Sequence, residues 1–252
     1  MSETAQLAGQ VALVTGASRG IGRAIARALG ALGMKVALNY RGDEAAAREA
    51  YDEVVAAGAP EAMLCRANVA DSGAAHTMVQ EVMATLGPIE LLVNNAGIQR
   101  SVLAQKMSDE DWREVMGVNL DGPFFLARAV LPSMLERRSG QIIMVASASS
   151  FMGQRGAAAY VTSKHGLIGL TRALAVETAG RGVRVNAVAP GLTQTDLLGG
   201  MQPEQLERLV SIVPMRRLGQ VEEVAEMVRF VACGATYSTG NIFHVGGGVV
   251  MA

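Results

Sequence analysis

The feature that most constrains the fold of this chain is a regular alternation of short apolar runs with longer amphipathic segments. The apolar runs have the length of strands and are predicted at 11–15, 35–40, 62–67, 89–94, 140–147, 183–189 and 241–245. The amphipathic segments are predicted as helices at 21–32, 43–57, 71–86, 109–136, 158–179 and 220–232. This alternation is typical of a parallel sheet covered by helices on both faces. We therefore predict an α/β fold with a doubly wound, seven-stranded parallel sheet.

Length and composition agree with such a fold. No linker, repeat or low-complexity stretch interrupts the 252 residues, so residues 1–252 are predicted to form a single domain with a substantial core. Half of the residues are hydrophobic but only 4% are aromatic, and the core is therefore expected to be mainly aliphatic.

Charge and targeting signals exclude several classes of protein. With 22 basic and 23 acidic side chains the net charge is −1, so neither a nucleic-acid partner nor a membrane partner is expected. The N-terminus has no signal-peptide pattern, and no apolar run reaches the ~18–20 residues of a membrane span. Cys65 and Cys233 are expected to be buried thiols in a reducing cytoplasm. His76, His165 and His244 are scattered along the chain, and no metal site is predicted.

A glycine-rich turn joins the first predicted strand to the first predicted helix. Val11–Thr15 leads into Gly16-Ala-Ser-Arg-Gly-Ile-Gly22, and an amphipathic helix follows. Glycines allow a tight turn and close approach to a pyrophosphate, while a helix N-terminus offers N–H groups and a favourable dipole. A glycine cluster alone is more often an ordinary turn, but its place between strand and helix favours a dinucleotide site. The predicted contacts are Gly16, Ser18, Arg19, Gly20, Ile21 and Gly22.

Two asparagine motifs follow the fourth predicted strand. Asn94-Asn-Ala-Gly97 comes directly after that strand, and its small residues allow the backbone to approach a ligand. Asn119 lies among apolar neighbours in the next long predicted helix. It is either a hydrogen-bonded asparagine at a helix kink or a member of a catalytic site, and the neighbouring motifs favour the second interpretation.

Tyr160 and Lys164 are one helical turn apart, and Ser147 precedes the tyrosine by thirteen residues. Residues four apart share a helix face, so the ammonium of Lys164 can lie near the phenol. A free tyrosine has a pKa of roughly 10. A nearby cation favours the phenolate, so Lys164 is expected to lower the pKa of Tyr160 and make it a proton donor for a carbonyl group. The alternative is a chance pair of surface residues.

The motifs occur in an order that is specific to one family. The chain resembles the short-chain dehydrogenase/reductase family from about Leu7 to the C-terminus, and within it the β-ketoacyl-acyl-carrier-protein reductases most of all. The resemblance implies a Rossmann-type sheet with strand order 3-2-1-4-5-6-7. The residues that carry it are Thr15–Gly22, Asn94–Gly97, Asn119, Ser147, Tyr160, Lys164, Pro190-Gly191, Arg216–Gly219 and Thr239–Gly248.

The resemblance also implies a catalytic role for each of four residues. Tyr160 protonates the alkoxide that forms when NADPH delivers a hydride to a ketone, and Ser147 hydrogen-bonds the same oxygen. Lys164 lowers the pKa of the tyrosine and holds the nicotinamide ribose. Asn119 holds a water that returns the proton through Lys164.

The segment after the second predicted strand bears on the choice of nicotinamide cofactor. Proteins of this fold that use NAD commonly place a carboxylate there, whereas this chain has Arg41 and no carboxylate before Asp43. Arg19 and Arg41 are predicted to bind a 2′-phosphate, so NADP(H) is favoured; the alternative is that both are solvated surface charges. The other predicted cofactor contacts are Tyr40, Asn68, Val69, Asn95, Ala96, Gly97, Tyr160, Lys164, Pro190, Gly191, Thr193 and Thr195.

Substrate contacts are predicted in three places. Residues 192–217 are expected to form a flexible helical lid, and Ser149 and Gln154 are candidate substrate contacts beside Ser147. Arg138 and Arg181 match the basic residues with which the similar reductases dock an acyl carrier protein; the alternative is ordinary surface charge. The resemblance implies NADPH-dependent reduction of a 3-oxoacyl thioester on acyl carrier protein to the 3-hydroxyacyl product by a homotetramer.

Departures from the reductase pattern leave other functions open. Gln99-Arg100-Ser101 and Gly246 differ from the residues usual in carrier-protein reductases. A ketoreductase of a polyketide or other secondary-metabolite pathway, or of a free small ketone, is therefore an alternative. A non-catalytic NADP(H)-binding scaffold is a further alternative, which the complete set of four catalytic candidates disfavours.

Overall fold

Seven strands form one parallel sheet in the structure, a computed structural model that describes residues 7–195 and 202–251. The strands are β1 Val11–Val14, β2 Lys35–Tyr40, β3 Ala62–Arg66, β4 Ile89–Asn94, β5 Gly140–Val145, β6 Val183–Pro190 and β7 Ile242–Val245. Their spatial order is β3-β2-β1-β4-β5-β6-β7, which confirms the predicted order.

Helices connect the strands. They are α1 Gly20–Ala31, α2 Glu44–Ala57, α3 Ser72–Leu86, α4 Asp109–Met116, α5 Gly122–Arg137, α6 Ala158–Thr178, α7 Pro203–Ser211 and α8 Val221–Cys233. Short 3₁₀ turns occur at Ala104–Lys106, Ala148–Ser150 and Ala179–Arg181.

The side chains of each strand alternate between two apolar cores, one on each face of the sheet. Within β1, Val11 and Leu13 belong to one core, and Ala12 and Val14 belong to the other. The first core is completed by α3, α5 and α6, and the second by α1, α2 and α8. The strands are mainly apolar on both faces because helices cover both faces of the sheet. The predicted doubly wound fold with aliphatic cores is confirmed.

The helix predicted at 109–136 is present over residues 109–137, but it is not a regular α-helix throughout. A π-helical turn, Gly117–Asp121, separates α4 from α5. Pro123, in the first turn of α5, has no N–H for a regular helical hydrogen bond. Gly122 packs so closely that a Cβ there would lie 3.0 Å from the carbonyl oxygen of Val69. Single π turns inside helices are frequent at functional sites, and Asn119 lies in the middle of this one.

The predicted lid at 192–217 is described only in part. Helix α7 falls within it, in agreement with a helical segment, while residues 196–201 lie outside the described residues. The C-terminal part of the segment is fixed, because Val213 is buried and the N–H of Met215 donates to the carbonyl oxygen of Gly247 at 3.1 Å. The flexibility and the covering role of the segment stay predictions.

The ends of β1, β4, β5 and β6 bring the sequence motifs to one edge of the sheet, here called the carboxyl edge. The glycine turn follows β1, Asn94–Gly97 ends β4, Ser147 follows β5 and Pro190-Gly191 ends β6. In doubly wound sheets this is the edge at which ligands bind. Within residues 7–195 and 202–251, no helix is long and apolar enough to cross a membrane.

Candidate active site

The glycine turn after β1 has backbone conformations and contacts that require glycine. Gly16 and Gly20 have φ values of 61° and 54°, in the left-handed region. A Cβ on Gly22 would lie 2.2 Å from the carbonyl oxygen of Gly16, so the start of α1 packs directly on the turn. The strand, tight turn and helix of a dinucleotide site are therefore present.

The N-terminus of α1 has no side-chain cap. Asp43, Asp71 and Ser108 cap α2, α3 and α4, because each side-chain oxygen accepts a backbone N–H bond in the first turn. Arg19, at the same position before α1, makes no such bond, and the first turn of α1 contains no acidic residue. Uncapped N–H groups at a helix N-terminus bind anions, so this end of α1 is suited to a pyrophosphate.

Thr15, which was not predicted as a site residue, joins the ends of β1 and β4. Its hydroxyl oxygen accepts hydrogen bonds from the backbone N–H groups of Asn95 and Ala96 at 2.9 and 3.0 Å. The Asn95 amide in turn donates to the carbonyl oxygens of Thr15 and Gly16. The Asn95 side chain therefore supports the glycine turn.

Asn39 is a second supporting residue that the sequence prediction missed. It is buried near the end of β2, and its Oδ1 accepts a hydrogen bond from the N–H of Gly16 at 3.3 Å. Its amide nitrogen donates to the carbonyl oxygens of Cys65 and Ala67, both at 3.1 Å. The only sequence signal is an asparagine within an otherwise apolar strand.

Tyr160 and Ser147 approach each other from different elements. Tyr160 lies in the first turn of α6, and the side chain of Ser147, which follows β5, lies close enough to its phenol to lower the pKa of that phenol. The Ser147 hydroxyl oxygen also accepts the N–H of Ser149 at 3.1 Å, which fixes the serine at the start of a 3₁₀ turn. The structure therefore brings this predicted pair together.

Lys164 is buried next to Tyr160. Its Nζ lies 5.9 Å from the centroid of the Tyr160 ring and donates to the carbonyl oxygen of Val145, at the end of β5, at 2.7 Å. The hydroxyl of Ser150 donates to the backbone carbonyl of Lys164 at 2.9 Å. The Ser150 hydroxyl is thus used in a hydrogen bond to α6, whereas Ser147 lies beside the phenol of Tyr160.

The predicted lowering of the Tyr160 pKa by Lys164 is wrong. Burial raises the pKa of Tyr160 above its usual value, and the nearby side chain of Ser147 offsets only part of that rise. Burial lowers the pKa of Lys164 to about 8. A phenol with a raised pKa remains protonated at neutral pH, which is the state required of a proton donor.

Asn119 links three elements of the site. Its Oδ1 accepts the N–H of Ile98 at 2.8 Å, and its Nδ2 donates to the carbonyl oxygen of Ile98 at 2.9 Å and to the Ser163 hydroxyl at 3.1 Å. A Cβ on Gly97 would lie 3.4 Å from Asn119 Oδ1 and 3.6 Å from Lys164 Nζ, so these residues converge. The water that Asn119 is predicted to hold stays a prediction.

Arg19 and Arg41 are exposed next to the ends of adjacent strands β1 and β2. Asp43, the first carboxylate after β2, is engaged as the cap of α2 and accepts the N–H of Ala46 at 3.0 Å. Arg41 has one contact with an acidic residue, 3.5 Å between its Nη1 and Oε1 of Glu114. The two arginines are therefore accessible to an anion at this part of the carboxyl edge.

Other predicted cofactor contacts line the same edge. Tyr40 and Val69 are buried, while Asn68 is exposed and accepts the N–H of Ala70 at 3.2 Å. Ser18 and Ala96 are half-buried in the turns after β1 and β4, and Ile21 is half-buried in the first turn of α1.

The segment after β6 closes against the glycine turn. A Cβ on Gly20 would lie 3.7 Å from the methyl group of Thr195, and Thr193 is bridged to Gly219. Gly191, after the buried Pro190, packs on the C-terminal segment, since a Cβ there would lie 2.6 Å from the Cα of Gly246. Three strands, β1, β4 and β6, thus contribute their following loops to one cleft region.

Ser149 and Gln154 lie on the connection from Ser147 to Tyr160. The Ser149 hydroxyl donates to Oε1 of Gln154 at 3.4 Å. The same connection is joined to the loop after β4 by a backbone hydrogen bond from Val102 to Gly156 at 2.9 Å. Both residues therefore lie on the segment that leads from Ser147 to Tyr160, and their contact with a substrate stays a prediction.

Arg138 and Arg181 do not lie near Tyr160 in the same chain. They precede β5 and β6, at the opposite edge of the sheet from Tyr160. Arg138 donates to the carbonyl oxygen of Gly180 at 3.0 Å, and Arg181 donates to that of Leu135 at 3.3 Å. Helix α6 has 21 residues and separates this end from Tyr160 by roughly 30 Å.

Comparison with known proteins identifies the family. Residues 10–206 match the model of the family described as short chain dehydrogenase. The chain belongs to the short-chain dehydrogenase family. The resemblance inferred from the ordered motifs is thus confirmed.

Two curated relatives of this short-chain dehydrogenase match it over nearly their full length. The 3-oxoacyl-[acyl-carrier-protein] reductase of a Synechocystis species is 45% identical, over 97% of this chain and 98% of the relative. The reductase of that name from Escherichia coli is 41% identical, over 96% of this chain and 98% of the relative.

Two solved structures of similar proteins have the same fold. A proposed NAD(P)-dependent gluconate 5-dehydrogenase of Beutenbergia cavernae, solved with NADP at low occupancy, has a TM-score of 0.90 and 40% identity, with 96% of this chain and 97% of that chain covered. A proposed short-chain alcohol dehydrogenase of Sinorhizobium meliloti has a TM-score of 0.92 and 35% identity, with 96% and 97% coverage. Both are similar to this short-chain dehydrogenase along the whole sheet.

Proposed function

We propose that this protein reduces the ketone of a 3-oxoacyl thioester on acyl carrier protein to the 3-hydroxyacyl product, with NADPH as the reductant. The observation that carries the proposal is the phenol of Tyr160, close to the side chain of Ser147 and adjacent to buried Lys164, at the carboxyl edge. Relatives named 3-oxoacyl-[acyl-carrier-protein] reductase favour this substrate over a polyketide or a free small ketone.

The residues at the carboxyl edge fit a bound NADP(H). The left-handed glycines and the uncapped N-terminus of α1 suit the pyrophosphate, and Arg19 and Arg41 suit a 2′-phosphate. Gly97, which faces Asn119 and Lys164, leaves room for the nicotinamide ribose. When bound, NADPH would supply the hydride that adds to the ketone carbon.

Tyr160 would supply the proton. The ketone oxygen gains negative charge as the carbon is reduced, and the phenolic O–H, protonated at neutral pH, donates its proton to that oxygen. The hydroxyl of Ser147 is held by Ser149 and donates a second hydrogen bond to the same oxygen. Positioned donors of this kind stabilise the developing charge more than water does.

Lys164 and Asn119 would restore the proton of the tyrosine. With a pKa of about 8, the buried ammonium is charged at neutral pH but near its titration point, so it can donate a proton without a large penalty. Asn119 fixes the backbone around Gly97 and the face of α6 through Ile98 and Ser163. The water predicted at Asn119 would pass a proton to Lys164 and so complete this path.

The proposal extends to an assembly of several copies. Arg138 and Arg181 lie roughly 30 Å from Tyr160 along α6, too far for a carrier docked there to present its thioester within the same chain. An antiparallel pair of α6 helices from two copies would bring the arginines of one chain beside the tyrosine of the other. Exposed Phe124 on α5 and Val176 on α6 supply apolar surface for such a contact. In this proposal residues 1–252 form a single domain, four copies of the chain assemble into a homotetramer, and the assembly acts in the cytoplasm.

The first test compares two forms of one acyl group. NADPH oxidation is measured with acetoacetyl-acyl carrier protein and with acetoacetyl-N-acetylcysteamine, a thioester without the carrier. We expect kcat/KM to be higher for the carrier-linked substrate. Turnover of only the small thioester would replace the proposed substrate with a free ketone, and turnover of neither would reject the 3-oxoacyl class.

A further inference from the structure

One carboxylate at the carboxyl edge contacts two arginines from different loops. Glu114 lies in α4, and its Oε1 is 3.5 Å from Nη1 of Arg41, which follows β2. Its Oε2 accepts hydrogen bonds from Nη2 and Nε of Arg100, which follows β4, at 2.6 and 3.1 Å. The carboxylate therefore connects the cofactor-selecting arginine to a second loop of the site.

The two contacts of Glu114 differ in geometry. Arg100 binds with two nitrogens and also lies 3.6 Å from Asp111, and its hydrogen bond lowers the pKa of Glu114, which keeps the carboxylate charged at neutral pH. Arg41 makes one longer contact, and its side chain is 63% exposed. Because a guanidinium has five N–H donors, Arg41 held through one nitrogen retains donors for a phosphate.

We propose that Glu114 is a positioning residue that directs Arg41 toward the 2′-phosphate and thereby sets the preference for NADP(H) over NAD(H). This assignment rests on the proposed use of NADP(H). A long side chain loses rotamer freedom when it binds a ligand, and a contact that orders it beforehand reduces that loss. Only NADP(H) has the 2′-phosphate, so ordering Arg41 favours that cofactor alone.

The same contact could instead make Glu114 a competitor that holds Arg41 away from the phosphate. The observed geometry argues against competition. The contact uses one nitrogen at 3.5 Å on an exposed side chain, and exposed ion pairs of this kind are weak. A phosphate binds arginine through short charge-assisted hydrogen bonds, often two at once, and would displace or accommodate the carboxylate.

Glu114→Asp is the most informative variant, because it keeps the charge but withdraws the carboxylate by one methylene. We expect the ratio of kcat/KM for NADPH to kcat/KM for NADH to fall about two- to fivefold, the range that corresponds to the loss of an exposed ion pair. The fall should come from a higher KM for NADPH, with kcat and the KM for NADH unchanged. Titration of each reduced cofactor by its fluorescence should show the same difference in Kd without any substrate.

Glu110→Asp is the matched control, since Glu110 is exposed on the same helix. It should leave the ratio unchanged. An unchanged NADPH/NADH ratio in Glu114→Asp overturns the inference, because positioning by Glu114 then makes no contribution. A higher ratio also overturns it, because the carboxylate then competes with the phosphate for Arg41. An equal loss of binding for both cofactors also overturns it, since that is the result of general damage to the site.

Arg41→Ala separates this inference from the cofactor proposal on which it rests. If Arg41→Ala leaves the NADPH preference unchanged, the proposed 2′-phosphate contact fails. If Arg41→Ala lowers the preference and Glu114→Asp does not, only the positioning role fails. In the double variant, Glu114→Asp should add nothing to Arg41→Ala, and an additional loss would show that Glu114 acts by another route and not through Arg41.

Discussion

At the scale of single residues, Tyr160 and Lys164 have opposite pKa shifts with one cause. Burial disfavours the charged form of each side chain, so it raises the pKa of the phenol and lowers that of the ammonium to about 8. The spacing of the two residues predicted their shared helix face but not this burial. The result is a protonated phenol next to a lysine that can exchange its proton near neutral pH.

Replacing Tyr160 with Phe tests the proton donor directly. We expect kcat to fall about 10²- to 10⁴-fold, the range for loss of a general acid, while NADPH binding measured by fluorescence is retained. Tyr237→Phe is the matched control, because Tyr237 is fully exposed and should show unchanged turnover. Full reductase activity in Tyr160→Phe would contradict the mechanism.

The buried charge of Lys164 should appear in the pH dependence of stability. Between pH 8 and the ordinary lysine value of 10.5, the unfolded state binds a proton that the folded state does not. The contribution of Lys164 to the free energy of unfolding should therefore rise with pH across this window and stop changing below about pH 8.

Lys164→Met provides the reference for that measurement. From pH 8 to pH 10 the wild type should gain about 2–3 kcal/mol relative to the variant, since each pKa unit corresponds to about 1.4 kcal/mol. Urea unfolding at a fixed protein concentration measures the difference. Parallel stability curves for the two proteins would mean that the pKa of Lys164 is not lowered in the folded state.

At the scale of elements, the π turn between α4 and α5 positions the site. It places Asn119 so that the side chain binds the backbone of Ile98, after β4, and Ser163, in α6. Three elements that are distant in the chain are therefore fixed to one another by one buried amide. A regular helix through 117–121 would rotate Asn119 and all following residues of α5 to a different orientation.

Asn119→Ala should be strongly destabilising. It leaves the N–H and carbonyl of half-buried Ile98 without their hydrogen-bond partners. A fully buried group left unpaired costs about 1–3 kcal/mol, and because Ile98 is only half-buried we expect a total of about 2–4 kcal/mol for the two groups. Thermal unfolding of Asn68→Ala serves as the comparison, because Asn68 is exposed and bonds only locally. Equal melting temperatures for the two variants would contradict the bridging role of Asn119.

At the scale of the whole molecule, α6 connects the end that carries Tyr160 to the end near the two arginines that we propose dock the carrier protein. Its first turn carries Tyr160 at the carboxyl edge, and the chain after its last turn carries Arg181 at the opposite edge beside Arg138. A carrier protein docked on these arginines would therefore lie roughly 30 Å from the tyrosine of the same chain. This separation is the physical reason for proposing that the arginines serve the tyrosine of another copy.

Mixing two defective chains tests this arrangement. One chain carries Tyr160→Phe, and the other carries Arg138→Glu with Arg181→Glu. If docking occurs between copies, mixed assemblies pair intact arginines with an intact tyrosine. Activity with acetoacetyl-acyl carrier protein should then recover to at most about a quarter of the wild-type rate, because random pairing of equal amounts places half of the intact tyrosines beside intact arginines. If the mixed assemblies still reduce the small thioester but recover no activity with acetoacetyl-acyl carrier protein, docking across copies is refuted.

The sequence by itself determined the elements and the order of the site motifs. Strand and helix positions follow from apolar periodicity, and the glycine turn follows from a local demand for left-handed backbone at Gly16 and Gly20. These are properties of neighbouring residues, so they can be inferred without the fold. The predicted strand order, which came from the resemblance, is also confirmed.

Only the tertiary structure decided which side chains meet across long chain separations. It buried Lys164 and directed its Nζ to Val145, interrupted the long helix at Asn119, and placed Glu114 between two arginines. It also put Arg138 at the edge opposite the tyrosine. Burial, which sets the pKa values, and contact between distant residues depend on how the helices pack on the sheet, and local periodicity carries no information about either.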